Sequence, residues 1–191
     1  MELSSQPKCY SWANAEILEF HQDYTGYGNL KELRKLERSI SAALYAYWFP
    51  GKRLVKTLEG APVAPFPYYV SNSHSQGHFF WARKTVDNIG IDFQVFTDKC
   101  LRVEKKFMNK EEWFRCPEDL INYEYAVLFW SIKEAAYKWH KKHIALKDIL
   151  VSNIDFVQHK GTLIFNNPRK QQASFEFKRT PNGYCTLVWA N

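Results

Sequence analysis

Two short stretches of the sequence carry acidic and basic side chains in spacings that suit phosphate chemistry. The first, Gly90-Ile91-Asp92, places a carboxylate within an apolar run, and the second runs from Trp130 to Lys138. In the second stretch, Glu134 and Lys138 are four residues apart and share one face of a helix, whereas Lys133 lies about 100° round from Glu134. A Lys-Glu-x-x-x-Lys pattern alone is also typical of a surface ion pair, which contributes roughly a few tenths of a kcal/mol. Both interpretations stay open on spacing alone.

Asp92 and Glu134 together favour a magnesium site. Mg²⁺ is held by one or two carboxylates, while waters and substrate phosphates complete its octahedron. Lysines beside such an ion bind the same phosphates as point charges. Two carboxylates and the lysines Lys133 and Lys138 therefore form a consistent set for pyrophosphate chemistry.

The elements that must hold these residues alternate between long helices and short strands. Apolar residues recur at helical spacing from Asn29 to Phe49, where Pro50-Gly51 ends the run, and again from Asp119 to roughly Lys142. Proline excludes a helix or a central strand from residues 59–67. The patterns predict strands at Tyr68–Val70, His78–Arg83, Ile89–Val95, Ile154–Phe156, Leu163–Phe165, Ser174–Phe177 and Cys185–Trp189. They predict turns at Ser71–Ser75, Lys160-Gly161 and Pro181–Gly183.

These elements predict an α+β fold. A long helix and a hairpin occur on both sides of about residue 88, which hints at two similar half-domains, residues 1–88 and 89–191. In each half, a long helix would pack on antiparallel strands.

Composition narrows the class of protein. With 46% hydrophobic and 17% aromatic residues the chain can bury a core. We expect no membrane helix, because no run approaches the ~20 apolar residues that one needs, and the absence of a signal peptide predicts the cytoplasm. The four cysteines are scattered and are expected to be free thiols. The net charge of +6 favours an anionic partner, which could be a nucleic acid, an acidic protein or a polyphosphate.

Three motifs in order resemble the 4′-phosphopantetheinyl transferase superfamily, in the two-half-domain type that activates peptide synthetases. They are Ser73-His74-Ser75, Gly90-Ile91-Asp92, and Trp130–Lys138, which has the family's form Trp-x-x-Lys-Glu-Ala-x-x-Lys. Lys106–Trp113 is similar to the segment that precedes this helix in family members, and the likeness spans roughly residues 60–154. The resemblance implies two half-domains in a pseudo-twofold arrangement. It also implies transfer of the phosphopantetheine arm of coenzyme A to a serine of an apo acyl or peptidyl carrier protein, with release of adenosine 3′,5′-bisphosphate.

By this resemblance, Asp92 and Glu134 are expected to bind the magnesium ion, and Glu134 is also expected to help remove the proton of the attacking serine. Family members usually carry a second acid two residues after the aspartate, where this chain has Gln94. An amide oxygen can still bind a hard cation, so Gln94 is expected to be a third metal ligand. Because the amide is neutral, the affinity for the metal should be lower than with the family's usual acid at this position.

Coenzyme A is expected to contact four residues by the same resemblance. Lys133 and Lys138 would hold its pyrophosphate, and His74 would contact its phosphates near Ser73. The family's Gly-Lys-Pro is Gly60-Ala61-Pro62 here, so one lysine contact to the nucleotide is lost. The candidates to bind the 3′-phosphate instead, among which the sequence leaves the choice open, are Arg34, Lys35, Arg38, Lys52 and Arg53.

A monomer with an acidic carrier protein as partner agrees with the family and with the positive charge. The aromatic residues Phe107, Trp113 and Phe114 are candidates for the docking surface, although core packing explains such residues more often. Two alternative functions remain. Gln94 and Ala61 favour a catalytically weakened relative that binds coenzyme A or a carrier protein without transfer. The other alternative is a nucleic-acid-binding protein, which no recognised motif supports.

Overall fold

The computed structural model describes residues 3–141, 143–165 and 171–190, which form a mixed α/β protein with antiparallel sheets and a few helices. The strands are β1 (Lys8–Trp12), β2 (Ala15–His21), β3 (Val55–Lys56), β4 (Pro62–Val63), β5 (Tyr69–Ser75), β6 (His78–Lys84), β7 (Ile89–Val95), β8 (Ile149–Asp155), β9 (Lys160–Phe165), β10 (Gln171–Thr180) and β11 (Gly183–Ala190). The helices are α1 (Leu30–Trp48), α2 (Lys99–Val103), α3 (Lys110–Trp113) and α4 (Asn122–His140).

The first sheet is antiparallel, has the order β1-β2-β6-β5 and is covered by α1. The helix begins because the Asn29 side chain accepts a hydrogen bond from the backbone N–H of Glu32 at 2.9 Å, which satisfies one of the free donors of the first turn. Its apolar stripe, which includes Ile40 and Leu44, packs against Trp81 and its neighbours on the sheet. This amphipathic stripe is why α1 forms here.

The second sheet has the order β7-β11-β10-β9-β8 and is also antiparallel. Helix α4 packs on it and is buried along most of its length, with Leu128, Phe129 and Ile132 fully inaccessible. A helix that is apolar on most sides belongs in a core. The two-stranded pair β3-β4 is hydrogen-bonded to neither large sheet, and β4 lies in the proline-rich region next to β5.

The two large sheets contact each other through a third apolar cluster. Ile17 and Phe80 of the first sheet meet Ile91, Phe93 and Leu187 of the second, and all five side chains are at most 2% exposed. Burial of this area contributes to stability in proportion to the apolar surface removed from water. Strand β7 therefore lies between the first sheet and α4.

Gly90 permits this close arrangement. A Cβ atom at Gly90 would lie 1.9 Å from the Ala135 carbonyl oxygen of α4, a distance that no side chain tolerates. The missing side chain lets the backbone of β7 approach the helix. The glycine of Gly90-Ile91-Asp92 thus brings Asp92 close to the helix that carries Glu134.

Most of the predicted elements are confirmed, with small shifts at their ends. The first helix occupies Leu30–Trp48 within the predicted range, and the strand at Ile89–Val95 matches fully. The second helix begins at Asn122 instead of Asp119 and ends at His140. Its predicted end at Lys142 lies outside the described residues.

Two predicted turns are wrong. Ser71–Ser75 is part of strand β5, and the hairpin turns at Gln76-Gly77, where both residues have positive φ. Lys160-Gly161 begins β9, and the chain turns just before it, at residues 156–159.

Three further regions were not predicted by periodicity. They are the hairpin β1–β2, whose turn residues Ala13 and Asn14 have φ of 48° and 60°, and the short helices α2 and α3. Among the described residues, no helix combines the length and the hydropathy that a membrane span requires.

Candidate functional site

Asp92 lies at the centre of a buried polar cluster. Its side chain is 2% exposed, and its Oδ1 accepts hydrogen bonds from the Ser73 hydroxyl at 2.8 Å and from the Lys138 ammonium at 2.7 Å. The backbone is fixed too, because the Ser131 hydroxyl donates to the Asp92 carbonyl at 3.3 Å and Lys138 also donates to the Ile91 carbonyl at 3.1 Å. A carboxylate held in this way keeps a single orientation.

Glu134 is the second carboxylate of the cluster. Burial raises the pKa of this group above its ordinary value, the negative charge of Asp92 raises it further, and the positive charge of Lys138 opposes both effects. Lys138 links the two carboxylates, because it lines a pocket together with Glu134 and also binds Asp92 Oδ1.

Strand alternation separates the two neighbouring residues Ser73 and His74. Ser73 points to β7 and binds Asp92, whereas His74 points to α1, where its Nε2 lies 3.5 Å from a carboxylate oxygen of Glu37. The imidazole also stacks on Phe79 at 5.4 Å between ring centroids with an interplanar angle of 9°. The two residues thus contact different sides of β5: Ser73 faces β7, and His74 faces α1.

A pocket of about 300 Å³ opens beside the carboxylates. Glu134, Lys138 and Lys141 line it from the side of α4, and Ser71 and Asn72 line it from β5. The loop that carries Gly60, Ala61 and Pro62 forms another wall, together with Thr57, Glu59 and His143. We call this space the carboxylate pocket.

A second pocket of about 460 Å³ lies on the α1 side of β5. Three cationic side chains, Arg34, Arg38 and Lys56, line it together with His74 and Glu37. We call it the cationic pocket. Of the candidates for the 3′-phosphate, Arg34 and Arg38 lie here, whereas Lys35, Lys52 and Arg53 line neither pocket.

Gln94 lies next to Asp92 as the sequence spacing predicts. Its amide nitrogen donates to Asp92 Oδ2 at 2.9 Å, so the nitrogen of the amide faces the carboxylate. Its carbonyl oxygen is directed away from Asp92 in this arrangement. No group of three or more Asp, Glu, His or Cys side chains suited to a metal occurs within the described ranges.

Lys133 is not brought to either pocket. It is fully buried and forms an ion pair with Glu112 at 2.8 Å, and its ammonium also donates to the Phe107 carbonyl. Burial lowers the pKa of Lys133, while the Glu112 carboxylate acts in the opposite direction. The resemblance implied a pyrophosphate ligand at this position, but the side chain points into the protein.

The three aromatic docking candidates differ in exposure. Phe107 is fully buried and packs edge-on against Trp130 at 4.9 Å, and Trp113 packs against the core beside Tyr125. Phe114 is 88% exposed. Only Phe114 of the three has a side chain that could meet a partner with most of its surface.

Several residues of the site were missed by sequence reasoning. Ser131, Glu37 and Glu112 hold Asp92, His74 and Lys133 respectively, and Lys141 and Lys56 add charge to the pockets. Glu37 carries a detectable signal, because it lies on the same helix face as Arg34 and Ser41 at three- and four-residue steps. The others depend on contacts between distant segments.

The arrangement suits the binding of phosphate esters, since several cationic side chains line two pockets on either side of β5 and Lys138 links Glu134 of one pocket to the buried Asp92. A model of the 4′-phosphopantetheinyl transferase superfamily matches residues 88–188, which is more than half of the chain. The chain belongs to this superfamily. A search of curated proteins gave no match.

Proposed function

We propose that this protein is a magnesium-dependent transferase that moves the 4′-phosphopantetheine arm of coenzyme A to a serine of an apo acyl or peptidyl carrier protein. The observation that carries the proposal lies inside the region that matches the superfamily: Glu134 and Lys138 line one pocket, and the Lys138 ammonium is also bound to the buried Asp92 carboxylate. Membership of the superfamily supports phosphopantetheinyl transfer in general.

We also propose the two-half-domain type, with a boundary at residues 88 and 89 and a pseudo-twofold relation between the halves. Helix α1 on the first sheet and helix α4 on the second support it, as does the position of this boundary between β6 and β7. Such a chain needs no second copy to complete its site, so we expect a monomer. We expect it to act in the cytoplasm.

The residues present fit a magnesium ion. Mg²⁺ is usually bound by one or two carboxylates and by substrate phosphates, and rarely by a cage made of protein alone. Asp92 and Glu134 supply such a pair, and their mutual repulsion favours a cation between them. When bound, the ion would neutralise charge that develops on the phosphates during transfer.

Coenzyme A would lie across β5, from one pocket to the other. The cationic pocket, with Arg34, Arg38 and His74, suits the 3′-phosphate of the nucleotide, and the carboxylate pocket with Lys138 suits the pyrophosphate. Ser73 holds Asp92 from the same strand. Strand β5 therefore contributes to both ends of the binding site.

The transfer step is a displacement at phosphorus. The serine oxygen of the carrier protein forms a bond to the β-phosphorus of coenzyme A, and the bond from that phosphorus to the bridging oxygen breaks. Adenosine 3′,5′-bisphosphate leaves with the bridging oxygen, and the serine proton passes to Glu134. Glu134 is the candidate base because its carboxylate lines the pocket proposed to hold the pyrophosphate.

A basic segment, residues 99–115, is the proposed docking surface for the carrier protein. Its exposed cations are Lys99, Arg102, Lys105, Lys106, Lys110 and Arg115. Phe114 adds an exposed apolar side chain to this surface. Carrier proteins are acidic as a class, so steering by opposite charge would speed their encounter with this segment.

The test is incubation with coenzyme A, Mg²⁺ and a panel of apo acyl and peptidyl carrier proteins, followed by intact-mass measurement. We expect a mass gain of one phosphopantetheine arm that requires Mg²⁺ and falls by at least ~10²-fold in Glu134→Gln and Asp92→Asn. Glu118→Gln, an exposed carboxylate outside both pockets, is the matched control and should transfer normally.

Two results would contradict the proposal. Normal transfer by both site variants would remove the assignment of the carboxylates. Tight binding of coenzyme A, measured by calorimetry, without transfer to any carrier protein of the panel would favour a catalytically weakened relative, the alternative that Gln94 and Ala61 support.

A further inference from the structure

The ion pair between Lys133 and Glu112 is an unusual placement of charge. The two side chains are 0% and 2% exposed, and Lys133 Nζ lies 2.8 Å from Glu112 Oε2. Removing two charges from water is costly, and a buried ion pair is seldom more stabilising than a well-packed apolar pair of similar size. Stability alone therefore does not account for this pair.

The pair joins α4 to backbone groups from two other parts of the chain. The Glu112 carboxylate accepts hydrogen bonds from the backbone N–H of Asn109 at 3.0 Å and of Val151 at 3.1 Å, while Lys133 donates to the Phe107 carbonyl. The ion pair thus ties residues 107–112 to both α4 and β8, in addition to the packing of Phe107 on Trp130 and the hydrogen bond from the Tyr125 hydroxyl to the Glu112 carbonyl. Because all these polar groups have partners, the network specifies a single geometry.

The attachment point lies next to the candidate base. Lys133 precedes Glu134 in α4, and residues 107–112 belong to the basic segment, residues 99–115, proposed to receive the carrier protein. No residue of this segment lines the carboxylate pocket or the cationic pocket. The segment is thus linked to the site through the ion pair without contacting the space assigned to coenzyme A.

We propose that Lys133 and Glu112 are positioning residues for the acceptor protein: their ion pair fixes the basic segment relative to Glu134, so that the incoming serine meets the carboxylate. This inference rests on the proposed function. It gives Lys133 a role in orienting the second substrate and no contact with the phosphates of the first.

The first test is amide hydrogen exchange, which needs no activity. Glu112→Gln and Lys133→Met should each speed exchange at residues 107–115 by at least about tenfold, while α1 exchanges as in the parent protein. Lys147→Met, which removes an exposed charge elsewhere, is the control and should change neither region. The double variant Lys133→Met/Glu112→Gln leaves no unpaired buried charge, and it replaces any single variant that does not fold.

The second test separates the two substrates. We expect the KM for an apo carrier protein to rise at least about fivefold in Glu112→Gln, Lys133→Met and the double variant. The Kd for coenzyme A with Mg²⁺, measured by calorimetry, should stay within about twofold of the parent value in all three, since neither side chain reaches the pockets.

A rise in the coenzyme A Kd for Lys133→Met, without a similar rise for Glu112→Gln, would overturn the inference, because Lys133 would then act on the phosphates. Unchanged exchange at residues 107–115 in every variant would overturn it as well. An absence of transfer by the parent protein would instead contradict the proposed function, and the exchange result would still stand.

Discussion

Helices α1 and α4 have the same length, 19 residues, but opposite surroundings. Five residues of α1 are buried, whereas twelve residues of α4 are. Helix α1 covers one face of a sheet and presents its other side to solvent. Helix α4 is enclosed on most sides, including the side where the backbone of β7 at Gly90 packs against Ala135. Many side chains of α1 are thus free to change conformation in solvent, whereas most side chains of α4 are fixed by packing.

The difference matches the chemistry that each helix is proposed to perform. A base and a phosphate ligand must keep their positions within a fraction of an ångström, which an enclosed helix provides through packing. The arginines of α1 are exposed side chains that would follow a flexible nucleotide. We expect substitutions in α4 to change stability and turnover, and substitutions in α1 to change substrate affinity.

The largest contrast should appear in stability. Leu128→Ala in α4 removes a fully buried side chain and should lower the free energy of unfolding by about 2–5 kcal/mol, because it leaves a cavity. Leu30→Ala in α1 removes a side chain that is 62% exposed and should change it by no more than about 0.5 kcal/mol. Urea unfolding measures both. Equal losses would show that the two helices are equally embedded.

The next effect concerns turnover. Lys138→Met removes the ammonium that lies 2.7 Å from Asp92, and should lower kcat/KM for transfer by about 10²-fold through lost charge stabilisation. Steady-state kinetics with a carrier protein provides the measurement. Lys147→Met serves as the control, and a variant of Lys138 with parental kinetics would exclude this lysine from the reaction.

A smaller effect is expected on the affinity for coenzyme A. Arg38→Met in the cationic pocket should raise the KM for coenzyme A by about five- to tenfold and leave kcat unchanged, because it removes one exposed phosphate contact. Lys35→Met is the matched control from the same helix, since Lys35 does not line the pocket. A comparable rise in both variants would point to a general effect of charge.

The smallest effect lies at the N-termini of the two helices. Asn29 caps α1 with its side chain, whereas α4 begins after Ile121, which has no capping group and is 56% exposed. Asn29→Ala should lower the free energy of unfolding by about 1 kcal/mol, and Ile121→Ser should raise it by about 0.5–1 kcal/mol. Thermal unfolding of both variants tests the pair. A loss of stability in Ile121→Ser would mean that the isoleucine contributes packing that outweighs the cap.

Helical periodicity predicted the elements that hold the candidate site, since the spacing of apolar residues located α1 and α4 to within a few residues. The motifs singled out Asp92 and Glu134, whose role as a magnesium site stays a prediction. Local sequence patterns do not show in which direction a charged side chain points. Lys133 was expected to hold the pyrophosphate of coenzyme A, whereas its side chain is buried in an ion pair with Glu112, which is distant in sequence.

The polar residues of β5 show the same limit. Ser71 and Ser73 suggest a turn by composition, yet they form a strand because their hydroxyls bond to β7 at Ile91 and Asp92. Strand propensity depends on what a side chain packs against, so such a strand can be recognised only with its neighbour in view. The hairpin β1–β2 was not predicted for a different reason: its turn is formed by Ala13 and Asn14, without the glycine that usually indicates such a turn.

The pairing of β7 with β11 has a consequence for how the protein is made. Thr186 of β11 is the register partner of Asp92, although β11 is the last strand of its sheet in sequence order. On a ribosome, β7 emerges before β11, so its sheet neighbour does not exist until Gly183–Ala190 have been made. Long-range pairing of this kind is slow to form. The Asp92 carboxylate therefore reaches its final position only after β11 has been made, and a nascent chain that stalls before β11 would expose the edge of β7.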